Sequence, residues 1–112
     1  MNIRMKVIQG ALVVRPNGEL TEGAASEMQD QIQKELAPAP RDVILNLTGV
    51  ESIAAGALAY LFRIQRQAHE AENRFVVAAA PEPALRLFRL TNVERSLELV
   101  PSEEDALRAT VP

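Results

Sequence analysis

Two short apolar runs constrain this chain most. Val43-Ile44-Leu45, continued by Leu47, and Phe75-Val76-Val77-Ala78-Ala79 carry almost no polar alternation, and amphipathic stretches surround them. Runs of this kind are strands buried on both faces of a sheet, and only helices above and below can bury them so. The helical stretches are legible from their spacing. Ala24, Met28, Ile32 and Leu36 recur at helical intervals, as do Leu58, Leu61, Ile64 and Ala68, with Arg63, Arg66, Gln67 and Glu70 on the opposite face of the second set. A third helix starts at Pro81-Glu82-Pro83, with Ala84, Leu87 and Phe88 facing inward.

The chain opens differently. Ile3-Arg4-Met5-Lys6-Val7 alternates apolar and polar, Gln9-Gly10 supplies a tight turn, and Ala11-Leu12-Val13-Val14 resumes as a strand, so a hairpin is expected. Pro16-Asn17-Gly18 should break or bulge the end of its second strand. Thr21 is positioned to cap the first helix and Pro38-Ala39-Pro40 to stop it. Asn73 is expected to end the second helix. Leu97 to Val100 reads as a last strand, and Ser102 caps a final helix whose acids Glu103, Glu104 and Asp105 favour the positive end of its dipole. The expected order is β-β-α-β-α-β-α-β-α, an α/β fold with a mostly parallel sheet, an N-terminal hairpin and about four helices, in one domain over residues 1–112.

Charge and composition exclude several functions. A formal net charge of −3 with no basic block argues against nucleic-acid binding. No cysteine is present, which removes disulfides, thiol chemistry and cysteine-based zinc sites and fits a cytoplasmic setting. A lone histidine, His69, leaves no multi-histidine metal site within one chain. No cofactor is expected: Gly18, Gly49 and Gly56 lack the spacing of a phosphate-binding loop or dinucleotide fingerprint. No apolar segment follows the cations near Met1 as a signal peptide would, and none approaches the ~18 residues a membrane span needs, so no direct membrane insertion is expected. No nucleophile–base or acid–base pair is legible, and an enzyme is not expected.

The remaining feature is the junction between the Val43 run and the second helix, Ser52-Ile53-Ala54-Ala55-Gly56-Ala57-Leu58. In an α/β fold, ligands and partners gather at such strand-to-helix junctions. Here it is nearly all alanine and glycine, which favours close approach of another protein's backbone over chemistry. Glu19 and Glu22 at the hairpin exit could form a polar rim to it, although acids in such a loop are more commonly just solvated.

Several segments, taken in order, resemble the STAS domain, most closely the small stand-alone bacterial anti-sigma factor antagonists. Gly18-Glu19-Leu20-Thr21 is similar to that family's Gly-Glu-Leu-Asp turn. Val43 to Val50 resembles its central strand and following loop, Leu85 to Val93 its third helix and turn, and Ser102 to Leu107 its final helix start. The resemblance covers roughly Lys6 to Leu107. It implies a non-enzymatic partner-switching module. The implied partner is an anti-sigma factor that is also a serine kinase, and the implied docking residues are Glu19, Thr21, Glu22, Gly23, Ser52, Ala54, Ala55, Gly56, Ala57 and Leu58. The family's Asp-Ser-Ser-Gly-Leu signature falls on Ala54-Ala55-Gly56-Ala57-Leu58, with Gly56 at the phosphorylated serine. Gly56 has no hydroxyl, so that switch is absent; Ser52 is the nearest alternative acceptor. Two other roles stay open at this point: a constitutive subunit of a lipid-transport or stressosome-like assembly, and small-ligand or nucleotide binding at the helix starts.

Overall fold

The computed structural model describes residues 1–110. Strand β1 (Asn2–Ile8) turns through Gln9-Gly10 into β2 (Ala11–Leu20). Both turn residues have positive φ, 51° and 82°, so the turn has the hand that matches strand twist, and Ile8 pairs with Ala11 directly across it. Helix α1 (Glu22–Leu36) follows, then β3 (Val43–Asn46), β4 (Val50–Ile53), a 3-10 turn over Ala55–Ala57, α2 (Leu58–Glu70), β5 (Phe75–Ala78), α3 (Glu82–Leu90), β6 (Glu98–Val100) and α4 (Glu103–Thr110).

The sheet runs β1-β2-β3-β5-β6, and every pairing except the hairpin is parallel. Strand β4 was not expected from the sequence. It also pairs with β2, further along: β2 meets β3 over Leu12–Val14 and β4 over Gly18–Leu20. Hence β3 and β4 lie successively along one edge of β2. Of the two outcomes expected at Pro16-Asn17-Gly18, the strand does not break there, and it does bulge. Strand β2 continues to Leu20, and Pro16, which has no N–H, falls in the gap between its two parallel partners. The bulge sits just beyond, between Gly18 and Glu19.

Parallel strands buried on both faces need two covering layers. On one face α1, α2 and α3 bury Leu12, Val14, Leu45, Phe75 and Val77 against Met28, Leu61, Ile64 and Phe88. On the other, α4 alone covers Val13, Ile44, Val76 and Ala78 through Ala106. Caps fix the helix ends. Thr21 Oγ1 accepts from the Ala24 N–H at 3.1 Å, and Ser102 Oγ from the Asp105 N–H at 3.1 Å, both as the sequence implies. Helix α2 ends differently from expectation. Glu72 takes the left-handed turn (φ 60°), and Asn73 donates to Ala68 O at 2.8 Å as the closing residue of the motif. Three polar residues, Glu72-Asn73-Arg74, follow one another here, so composition alone did not place the turn.

Candidate functional site

The Ala/Gly junction is built by β4. The turn before it is held by Asn46, whose Oδ1 accepts from the Thr48 N–H at 2.9 Å and the Thr48 hydroxyl at 2.6 Å. Gly49 is closely hemmed in by this turn: a Cβ there would lie 1.9 Å from Oδ1 of the exposed Asn17 side chain, which would have to move, and 3.2 Å from Pro16 O. From Val50 the chain runs beside β2, pairing Ser52 with Glu19 and Ile53 with Leu20, and the Ala54 N–H donates to Leu20 O at 3.0 Å. The helical path then begins as a 3-10 turn, not at an α-helical Ala55. The Ala57 N–H bonds Ala54 O at 2.9 Å, and α2 proper starts at Leu58. No side chain caps this start.

Register and helix placement bring the expected residues together from two distant parts of the sequence. Glu19, Thr21, Glu22 and Gly23 from the hairpin exit and Ser52, Ala54, Ala55 and Gly56 from the junction are all exposed, and α1 packs against the 3-10 turn. Two expected members do not belong to the surface. Ala57 is wholly buried and Leu58 is 8% exposed, both in the core beneath α1 and α2, because the 3-10 turn rotates them inward. They anchor the surface from below. Thr21 lies on it, but its hydroxyl oxygen is engaged as the α1 cap.

One feature of the surface was not legible from the junction's own sequence. The Glu22 side chain lies across Gly56: a Cβ at position 56 would meet Glu22 Oε2 at 2.7 Å and Glu22 Cδ at 3.1 Å. A carboxylate therefore sits beside an uncapped helical start, where the dipole favours negative charge. The two residues are far apart in the chain, and only the docking of α1 on the 3-10 turn joins them. The Ala/Gly shelf itself therefore carries a charge that its own composition does not show. Glu22 lies against the small residues, and Glu19 and Glu51 are exposed on the paired strands β2 and β4 that lead to them.

Elsewhere, the acids at the α4 start divide their work. Glu103 is taken by Arg15 across the sheet face, at 2.8 and 2.7 Å, with Asn46 Nδ2 donating to it at 3.1 Å. The Arg15 fork is the main cause holding the Glu103 carboxyl below its ordinary value, against the desolvation that would raise it, and Asn46 adds to the lowering. Glu104 and Asp105 pair with Arg108 on their own helix. Among the described residues no group of His, Asp or Glu side chains is arranged to hold a metal ion. His69 is exposed in the last turn of α2. No helix among the described residues is long and apolar enough to cross a membrane.

A hairpin feeding a parallel sheet, with three helices on one face and one on the other, matches a family model for the STAS domain over residues 2–106. This chain belongs to the STAS domain family. Three solved structures share its fold over nearly their whole length. A Thermotoga maritima protein taken to be an anti-sigma factor antagonist superposes with a TM-score of 0.90 at 22% identity, covering 98% of this chain and 95% of that one. An anti-sigma factor antagonist from Mycobacterium paratuberculosis gives 0.87 at 24% identity, over 99% and 94%. The unphosphorylated form of the antagonist SpoIIAA gives 0.78 at 14% identity, over 96% of each chain. At these identities the likeness speaks for the STAS fold.

Proposed function

We propose that this STAS domain is a non-enzymatic, cytoplasmic protein-interaction module of the anti-sigma factor antagonist type. It docks a serine kinase of the anti-sigma factor class through Glu19, Thr21, Glu22, Gly23, Ser52, Ala54, Ala55 and Gly56. The observation that carries this reading is the exposed Ala54-Ala55-Gly56 shelf at a strand-to-helix junction, with acidic residues beside it. Small side chains let a partner's backbone approach closely, and rim charges steer the encounter and set its register.

SpoIIAA has also been solved in a phosphorylated form. A phosphate adds about −1.5 to −2 charge at a surface. Ala54, Ala55, Gly56 and Ala57 offer no hydroxyl to receive one, and Glu22 already places a carboxylate over Gly56. On this reading the surface has one fixed charge state, and docking is governed by the abundance of the two proteins. Ser52, exposed in β4, is the one hydroxyl within the junction.

The test is a calorimetric titration of the purified chain against the serine kinases of the anti-sigma factor class from its source genome, with Ala55→Arg and Gly56→Glu as variants. Both sites are exposed and the Glu22 side chain can swing aside, so both variants should fold. Each should weaken docking at least tenfold, about 1.4 kcal/mol. Unchanged affinity in both would show that docking uses another face. Incubation with kinase and ATP, followed by intact mass, should show no added phosphoryl group.

A further inference from the structure

The sheet face under α4 is only partly covered. Helix α4 packs on β3, β5 and β6, and its neighbouring strands β1 and β2 extend beyond it. Because Val13 faces α4, its cross-strand partner Lys6 and the adjoining pair Arg4↔Arg15 lie on that same face. Two arginines directly opposite each other in an antiparallel ladder repel and destabilise the pair. Glu103 answers only one of them, Arg15, through its Nε and Nη2. Among the described residues no carboxylate pairs with Arg4 or Lys6. This patch is therefore cationic in a chain whose net charge is −3.

Two adjoining recesses, each of about 360 Å³, share the Arg4–Arg15 pair. One extends toward the Asn17 amide and toward Asn46 and Thr48, which already bond each other, Asn46 also bonding Glu103, and the other toward Lys6. Strand β1 is a sheet edge, and edge strands carry charges that deter pairing with other chains. That need explains a charge at positions 4 and 6. It does not explain an arginine opposite another arginine, because an acid at position 4 would guard the edge equally and would pair with Arg15. Three cations against the single Glu103 carboxylate leave a surplus of two positive charges, which matches a phosphate dianion. An arginine fork suits phosphate oxygens in particular.

We propose that the Arg4–Lys6–Arg15 recess binds a phosphate monoester group. The experiment titrates the isotope-labelled full chain with inorganic phosphate at pH 7.5 and constant ionic strength, following backbone amide shifts. Saturable shifts at Arg4, Arg15, Asn17 and Thr48 are expected. The double variant Arg4→Glu/Lys6→Glu keeps the edge charged and gives Arg15 a second partner, so it should fold, and its phosphate affinity should fall at least tenfold. Shifts that do not saturate, that chloride reproduces, or that persist in the double variant would overturn the site. A second arm mixes the chain with phosphatidic acid or phosphatidylcholine vesicles. Saturation by phosphate without vesicle retention assigns a free phosphorylated molecule, and saturation with retention on phosphatidic acid assigns a lipid headgroup as the source of the same group. Retention without saturable phosphate shifts overturns the proposal in favour of diffuse surface charge.

Discussion

Single residues here are fixed by contacts their sequence neighbours do not reveal. Gly49 is the clearest case: the Asn17 amide and the Pro16 carbonyl occupy the space a side chain would need. Gly49→Ala should cost about 1–2 kcal/mol by overpacking. Part of that cost should return in the Gly49→Ala/Asn17→Ala pair, since the amide can be removed and the carbonyl cannot. Urea denaturation of the four members of the cycle measures it. Glu103 gives a second residue-level prediction. Its carboxyl is held below its ordinary value in the folded state, chiefly by Arg15. Such a group contributes stability above its unfolded value and loses it as pH falls through the folded one. Glu103→Gln should therefore lose about 1 kcal/mol near neutral pH and show a shallower decline of stability on acidification than the parent chain. Thermal midpoints collected from neutral to acid pH would show the two curves converging at the acid end. Parallel curves would mean that the Arg15 pair contributes nothing.

At the scale of elements, two helices end in the same way for different chemical reasons. Helices α2 and α3 both close with a left-handed residue, Glu72 (φ 60°) and Asn92 (φ 59°), and both place the next N–H on a carbonyl of the last turn. Asparagine tolerates that conformation, whereas glutamate gains nothing from it. Glu72→Gly should therefore stabilise the chain by about 0.5–1 kcal/mol, read as a higher urea midpoint with an unchanged slope. The same substitution at Asn73, whose backbone is not left-handed, should not stabilise. Most elements were legible in the sequence because their signals are local: the alternation of β1, the caps Thr21 and Ser102, and the apolar runs of β3 and β5. Strand β4 was not. Val50-Glu51-Ser52-Ile53 is short, and its two central residues are exposed, so it carries no run of apolar residues. It is a strand because β2 is long enough to pair with it after leaving β3.

For the molecule as a whole, the two cores lie on opposite faces of one sheet and share its central strands. Leu45 and Val77 point to the three-helix side, while Ile44 and Val76 point to α4. The two cores are expected to be lost together, since β2, β3 and β5 each contribute to both. Leu61→Ala on one side and Ile44→Ala on the other should each remove about 2–5 kcal/mol. Each should lower one cooperative transition without producing a second. Near- and far-ultraviolet circular dichroism that failed to coincide in either variant would show that the faces unfold separately. The sheet also separates charge, with Glu19, Glu22 and Glu51 toward the junction and the Arg4, Lys6 and Arg15 cluster on the face beside α4.

The sequence by itself determined the fold class, the hairpin, the four helices and the place of the junction, because periodicity, caps and turn residues act within a few positions. It also determined that Gly56 can accept no phosphoryl group, since that depends only on the identity of the side chain. Tertiary structure decided which junction residues reach solvent. It turned Ala57 and Leu58 into the core, created β4, and laid Glu22 across Gly56. It also left the Arg4–Arg15 pair, which the hairpin register brings together, beyond the reach of α4. These features arise between segments distant in sequence, where the geometry of packing decides what local composition leaves open.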